Sequence, residues 1–564
     1  LKTSVAMMAI IIVTKASGFL FGALVARELG ASRESDLFFI ANTIPEILGN
    51  FILIGLISAA LVPMLVKAKS KDHESFLSLL NSLLNFLMLL FIVVAVVFSI
   101  FSDDIFPFVL NTLIRSKFEF SSLEIERAAA MMRLLMIPQI ILGVSAFYSS
   151  SLNVFHQFLI PQLAPLFYNV GRIVGAYFFI PFIGGAEGLV WGTILGALLH
   201  LLIQVPIAYK NGIRHRATIN FKDELFQESL KVGGPRVIGI GGEYLANGID
   251  KFIAARFIAG SVTAFDFALR LVSIPLSLFG LTFSVASFPV LTKMYQSGDK
   301  EGFSQLLITL LNQIFFFSIP VTVLLLVLRV SMVRLFYGIF GGAFEIEHTY
   351  LTAWIVAFFS VGLVFESVRT LIFRAFYATG DTIRPLYAAL FTMVLGVVSA
   401  ILFTNYFSHF DVFEFTQLEW NPAYFLSSGE GKAAVGGLAL SSSVVFTLEF
   451  ILLLFMMHKS AVEIDIRELL IRSLKKVIAG CVMGFVMFMI FKGWGRTELQ
   501  TRTFYLILLV SLTSISGLVT YLLAAYVLKI REFDLVITFF NRFKPKDIYT
   551  SYKKQTVVEI TPND

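Results

Sequence analysis

Asp266 and Arg270 stand four residues apart in an otherwise apolar stretch, AFDFALRLVSIPL at 264–276. On a helix that spacing places both on one face, where carboxylate and guanidinium can pair. A guanidinium also grips a phosphate with two parallel N–H donors, so Arg270 suits an anionic substrate; the plainer alternative is a pair that only anchors its helix. Other charges interrupt apolar runs at Lys15, Glu46, Arg172, Glu243, Asp250, Glu366, Arg369 and Arg374. Charge inside a membrane-crossing helix is costly, which makes each a functional candidate. Glu366 and Arg369, three apart, read as a structural pair, and Arg374 and Arg384 as residues of a cytoplasmic mouth. Glu243, Asn247 and Asp250 in EYLANGID share nearly one helical face. Oxygen groups so arranged suit a sodium ion or a proton, and solvated residues beside a water-filled cavity would show the same pattern. No nucleophile–base pair, Walker motif or Cys/His metal spacing accompanies them. The expectation is a transporter that needs no bound cofactor, not an enzyme, with a sodium or proton gradient or the membrane potential as its drive.

The elements that must position these charges are membrane helices. Of 564 residues, 57% are hydrophobic and 15% charged, and the mean hydropathy is +0.83. Apolar runs of about 18 residues or more, each able to cross a hydrocarbon core of about 30 Å, recur along the chain. They predict an all-α polytopic protein of about 14 spans, near 4–28, 37–66, 78–102, 126–151, 159–181, 186–208, 227–257, 263–292, 305–328, 350–378, 383–406, 433–457, 474–492 and 502–528. Alternate loops are basic (Lys67, Lys69, Lys71; Lys210, Arg214, Arg216; Lys459, Arg467, Arg472), and those between are mixed or acidic (Asp103, Asp104; Asp411, Glu414, Glu419). By the positive-inside rule both termini are cytoplasmic. The formal net charge of +6 then reports inside loops rather than a nucleic-acid partner. The single cysteine, Cys481, can form no internal disulfide, and the N-terminal run reads as a retained first span without a signal cleavage site.

The chain also repeats itself. SDLFFIANTIPEILG at 35–49 parallels FDFALRLVSIPLSLFG at 265–280, matching Asp36 with Asp266 and Pro45 with Pro275. VPMLVKAKSKD at 62–72 parallels FPVLTKMYQSGD at 288–299, and GLVWGTILG at 188–196 parallels GLALSSSVV at 437–445. Six spans per copy give both copies one orientation, a parallel repeat whose halves can rock about a central site. The predicted organisation is a six-helix lobe at 1–210, a second at 224–458, an amphipathic linker helix with a C-terminal helix pair at 461–528, and a basic tail at 529–564. Residues 461–473 fit equally the solvated start of span 13. The outside loop at 407–432 is long enough to carry a short element of its own.

Beyond these patterns, FIAGSVTAFDFALRLVSIPLSLFG (257–280), VFHQFLIPQLAPLFYNVGRIVGAYF (154–178), VGGPRVIG (232–239) and FRAFYATGDTIRPLYAAL (373–390) resemble the MurJ/MviN family of lipid II flippases, within the multidrug/oligosaccharidyl-lipid/polysaccharide exporter superfamily. The resemblance covers nearly the whole chain. It implies 14 helices, a cationic cavity for the diphosphate of a polyprenyl-linked glycan, a tail groove beside spans 13 and 14, and a role in peptidoglycan and cell-wall biogenesis at the bacterial inner membrane. By the same resemblance Arg270 matches a cavity arginine, Asp36 an aspartate opening helix 2, and Lys15 a position usually held by arginine. With Asp266 these form the expected substrate site. Asp250 matches a helix 7 sodium ligand with Asp381 its helix 11 counterpart, and Asn247 is a further candidate. The substrate lipid and membrane lipids are the expected partners, and the chain is expected to act as a monomer. Where the family usually carries an arginine and an aspartate on helix 1 this chain has Phe21 and Gly22, and where the family carries an arginine pair and a glutamate on helix 2 it has Gly49, Asn50 and Ile54. Two alternatives therefore stand beside lipid II: another undecaprenyl-linked oligosaccharide, of O-antigen or exopolysaccharide type, and cation-coupled multidrug antiport. A non-transporting membrane scaffold is a third.

Overall fold

A computed structural model describes residues 2–56, 61–113, 120–412, 421–427, 429–460, 462–494 and 503–534. The tail beyond 534 and the Glu243 side chain lie outside the described residues. Fourteen long helices account for most of the rest: α1 (Lys2–Leu29), α2 (Arg33–Leu56), α3 (His73–Ile100), α4 (Ser122–Val154), α5 (Leu159–Ile183), α6 (Glu187–Lys210), α7 (Glu224–Ala254), α8 (Ser261–Gln296), α9 (Lys300–Tyr337), α10 (Ile346–Ala378), α11 (Ile383–Phe407), α12 (Gly436–Ser460), α13 (Ile466–Trp494) and α14 (Thr503–Val527). Among the described residues, twelve of them are long and apolar enough to cross a membrane. The other two, α2 and α7, have 24 and 31 residues, about 36 and 46 Å of helix at 1.5 Å per residue. Both carry polar side chains within their length: Asn42 and Glu46 on α2, and Asn247, Asp250 and Lys251 on α7.

The chain forms two compact units. One comprises residues 1–271, 332–359 and 386–445, the other 272–331, 360–385 and 446–564. Compactness thus divides the chain differently from the repeat, cutting within α8, α9, α10, α11 and α12. In α8 the cut comes just before Pro275, after which a π-helical turn occupies Leu276–Leu281. A proline lacks the N–H that would continue the ladder, and a wide turn there re-aims the helix.

In the first unit α5 and α6 meet through a glycine seam. A methyl on Gly171 would lie 2.2 Å from the Gly196 nitrogen, and one on Gly192 would lie 2.5 Å from the Gly175 Cα. Small residues at four-residue spacing let helix backbones touch, the main source of packing where both surroundings and side chains are apolar. The N-terminal ends of α2, α4 and α6 are tied by Arg127, which meets Glu34 at 2.6 Å and Glu187 at 2.8 Å. An aromatic core stacks Phe267 on Tyr337, centroids 4.3 Å apart, with Phe39 edge-on to Phe267. The loop between α11 and α12 carries a short 3-10 turn, Pro422–Phe425, packed with Trp354, Tyr406 and Phe410; residues 413–420 and 428 of that loop lie outside the described residues.

In the second unit α13 and α14 pack along each other, and the buried Tyr521 hydroxyl donates to the Phe316 carbonyl at 2.9 Å. Ile466–Trp494 is one continuous helix. Asp465 accepts the Glu468 N–H at 2.8 Å and starts it, so 466–473 is the opening of α13 rather than a separate linker helix.

Candidate functional site

Four charged residues form a ladder across α2, α7 and α8 of the first unit. Asp266 and Arg270 pair through the carboxylate and the guanidinium Nε. The other Asp266 oxygen meets Lys251 Nζ at 3.3 Å, and Lys251 also meets Glu46 at 3.1 Å. Asn42 donates to the same Glu46 oxygen at 3.4 Å. Exposure grades along the ladder: the Asp266 and Lys251 side chains are 8% and 10% exposed, Arg270 32% and Glu46 43%. The buried middle holds the more open ends in place, and a buried ion pair persists only when its partners satisfy one another.

Close helix packing makes the ladder possible. A methyl on Gly248 would lie 2.2 Å from Ile47 Cδ1, so α7 and α2 approach tightly one turn from Lys251. Arg172 on α5 is a third cation of this region. Its guanidinium lies 3.7 Å from the Phe21 ring centre, its Nε is buried without a hydrogen-bond partner, and it interacts electrostatically with Arg270, Asp266 and Glu46. Among the described residues three cations therefore face two carboxylates, and a surplus positive charge in a low-dielectric setting favours an anion.

The structure places the predicted residues unequally. Asp266 and Arg270 lie together. Lys15 is exposed on α1 and makes no ion pair among the described residues. Asp36 is 2% exposed and holds the start of α8, accepting the Gly260 N–H at 2.7 Å, the Thr263 N–H at 2.8 Å and the Thr263 hydroxyl at 2.7 Å. That is a helix-capping arrangement built from a distant segment. Asp250 is half-buried and Asn247 exposed. Asp381 caps α11 through the Ile383 and Arg384 N–H groups, both at 3.1 Å, and pairs with Arg384 at 2.8 Å. Among the described residues no three His, Cys, Asp or Glu side chains gather as a metal site. In the second unit Arg369 reaches Glu449 on α12 at 2.8 Å, a partner the i,i+3 spacing to Glu366 did not indicate.

Lys251 was not singled out by sequence. A usable signal was present: a lysine inside a span needs a carboxylate, and Glu46 was an intramembrane acid without an assigned cation.

Known proteins agree with this architecture. A family model described as lipid II flippase MurJ matches residues 25–412. A probable lipid II flippase MurJ of Buchnera aphidicola subsp. Acyrthosiphon pisum is 26% identical over 534 residues, 94% of this chain and 98% of that protein. The lipid II flippase MurJ of Burkholderia cenocepacia is 25% identical, covering 71% of this chain and 77% of its own. Among solved structures, a lipid II flippase MurJ in an inward closed conformation shares the fold with a TM-score of 0.71 at 23% identity, covering 93% of this chain and 98% of that one. An inward-facing multidrug resistance MATE transporter matches at 0.60 and 15% identity, over 81% of this chain and 99% of its own. The multidrug transporter shares the fold, while the family model and the full-length relatives point one way: this chain belongs to the MurJ family of lipid II flippases.

Proposed function

We propose that this chain carries lipid II from the cytoplasmic to the outer leaflet of the bacterial inner membrane by alternating access, with both termini in the cytoplasm. The observation that carries the proposal is the one-third-exposed Arg270, fixed by a buried aspartate inside a cluster with surplus positive charge. A lipid diphosphate brings two or more negative charges and several acceptor oxygens. Arg270 offers it a planar donor fork, with Lys251 and Arg172 adding charge behind it. Lys15, exposed on α1, is the further cation that the headgroup would meet. Asp36 serves this site indirectly, by fixing where α8 begins.

For coupling, Asp250 is the candidate we retain. A half-buried carboxylate such as Asp250 suits a proton, or a cation that keeps most of its water, better than a cation caged entirely by protein oxygens. The test is translocation of labelled lipid II in vesicles reconstituted with the full chain. Arg270→Ala should lower the rate by at least about tenfold, the value of one lost charge-assisted contact of about 1.5 kcal/mol or more. Arg270→Lys, which keeps the charge without the fork, should fall between. Wild-type rates in Arg270→Ala vesicles would remove Arg270 from the substrate path.

A further inference from the structure

The ends of α13 and α14 that the charge pattern assigns to the cytoplasm enclose a cavity of about 360 Å³. Five cations and three carboxylates line it. The carboxylates are already engaged. Glu468 meets Arg472 at 2.5 Å. Glu532 meets the fully buried Lys476 at 3.4 Å, which also donates to Asn312 at 2.5 Å. Asp465 is the cap of α13. Four cations, Arg467, Lys475, Lys529 and Arg531, therefore surround the cavity with no carboxylate partner among the described residues. The cavity wall is held in place. Lys475 donates to the Leu528 carbonyl at 3.2 Å, and Lys476 fastens α13 to α9 and to the segment after α14.

The chain spends conformational strain on one of these cations. Lys529 takes φ 51°, the left-handed position that closes a helix and that glycine ordinarily fills. Immediately along the helices the surface turns apolar and open: Ile471 is 50% exposed, Leu474 60%, Tyr526 68% and Val527 74%. A cationic cavity bordered by lipid-facing side chains fits an amphiphile with one anionic end, whereas a free anion would gain nothing from the apolar border.

We propose that this cavity binds the headgroup of an anionic glycerophospholipid of the cytoplasmic leaflet. Its phosphate is met by Arg467, Lys475, Lys529 and Arg531, and its acyl chains lie along α13 and α14. The site is separate in residues from the Arg270 ladder and does not depend on which glycan that ladder recognises. Cations beside an anionic leaflet are each worth about a fivefold change in lipid affinity.

The test uses the purified full chain in detergent with phosphatidylglycerol or phosphatidylcholine of equal chain length, counting retained lipid by native mass spectrometry. Phosphatidylglycerol should be retained preferentially. Arg531→Gln, at an exposed position, should lower its retention about fivefold. Lys529→Gly should do the same while melting no lower than the parent, because glycine relieves the backbone as it removes the charge. Arg270→Ala should leave retention unchanged, which separates this site from the translocation path. Equal retention of the two lipids, or unchanged retention in Arg531→Gln, would overturn the proposal. Displacement of phosphatidylglycerol by millimolar inorganic phosphate would overturn the lipid assignment in favour of a soluble anion.

Discussion

Lys251 touches two carboxylates, and the structure predicts that they are worth different amounts to it. Toward Asp266 the separation is 3.3 Å with both side chains at or below 10% exposure. At an effective dielectric of about 20, that distance gives about 5 kcal/mol of attraction. Desolvation offsets part of it, leaving a coupling of about 2–3 kcal/mol. Toward Glu46 the distance is slightly shorter, 3.1 Å, but the carboxylate side chain is 43% exposed. In a water-like dielectric the same law gives about 1 kcal/mol, and salt and side-chain entropy reduce it further. Two double-mutant cycles read these quantities: Lys251→Met with Asp266→Asn, and Lys251→Met with Glu46→Gln. Reversible unfolding in mixed micelles at neutral pH supplies the free energies. Raising salt should weaken the Glu46 coupling and barely move the Asp266 one. A Glu46 coupling equal to or larger than the Asp266 coupling would refute the claim that burial, rather than distance, sets the strength of this ladder.

Two further perturbations examine what positions the site. Gly192→Ala should destabilise by about 2–3 kcal/mol, because its methyl would meet backbone rather than a side chain that can move; Gly493→Ala, which faces open space, should be neutral in the same thermal melt. Asp36→Ala should cost about 2–4 kcal/mol by leaving the Gly260 and Thr263 N–H groups buried without an acceptor, and Asp36→Asn should cost less in the same measurement. Residual lipid II translocation by Asp36→Asn at temperatures where it stays folded would be expected, and its complete loss would move Asp36 into the substrate path.

The architecture was legible because its cause is local. An apolar run long enough to cross a membrane is a helix whatever its neighbours do, since its backbone polar groups have no other partners there. That argument located most of α1 to α14 to within a turn or two, while the ends of α2 and α9 and the start of α13 fell two to three turns from the predicted positions. The pairing of Asp266 with Arg270 was legible for the same reason: both lie on one helix. What could not be read was every contact between helices. Lys251 pairs with residues 205 and 15 positions away, and Arg369 with one 80 positions away. Nothing in local spacing selects those partners over others.

The repeat marks where sequence similarity ceases to mean similarity of role. Gly30 and Gly260 both take positive φ, 67° and 87°, and each is followed six residues later by an aspartate, Asp36 or Asp266. The geometry is copied, yet the aspartates do different work. Asp36 accepts three hydrogen bonds from the start of α8, whereas Asp266 holds Lys251 and Arg270. The difference traces to position four further on. Ile40 is fully buried in the first copy, where a guanidinium would have neither water nor a partner of its own. Arg270 in the second copy remains one-third exposed beside a carboxylate. A duplicated helix start therefore supplies two aspartates, and the environment of the next turn decides which one can support a charge. Asp36 clasps the start of the second copy, so the residue that fixes where α8 begins and the residue that presents Arg270 on it stand at equivalent positions of the repeat.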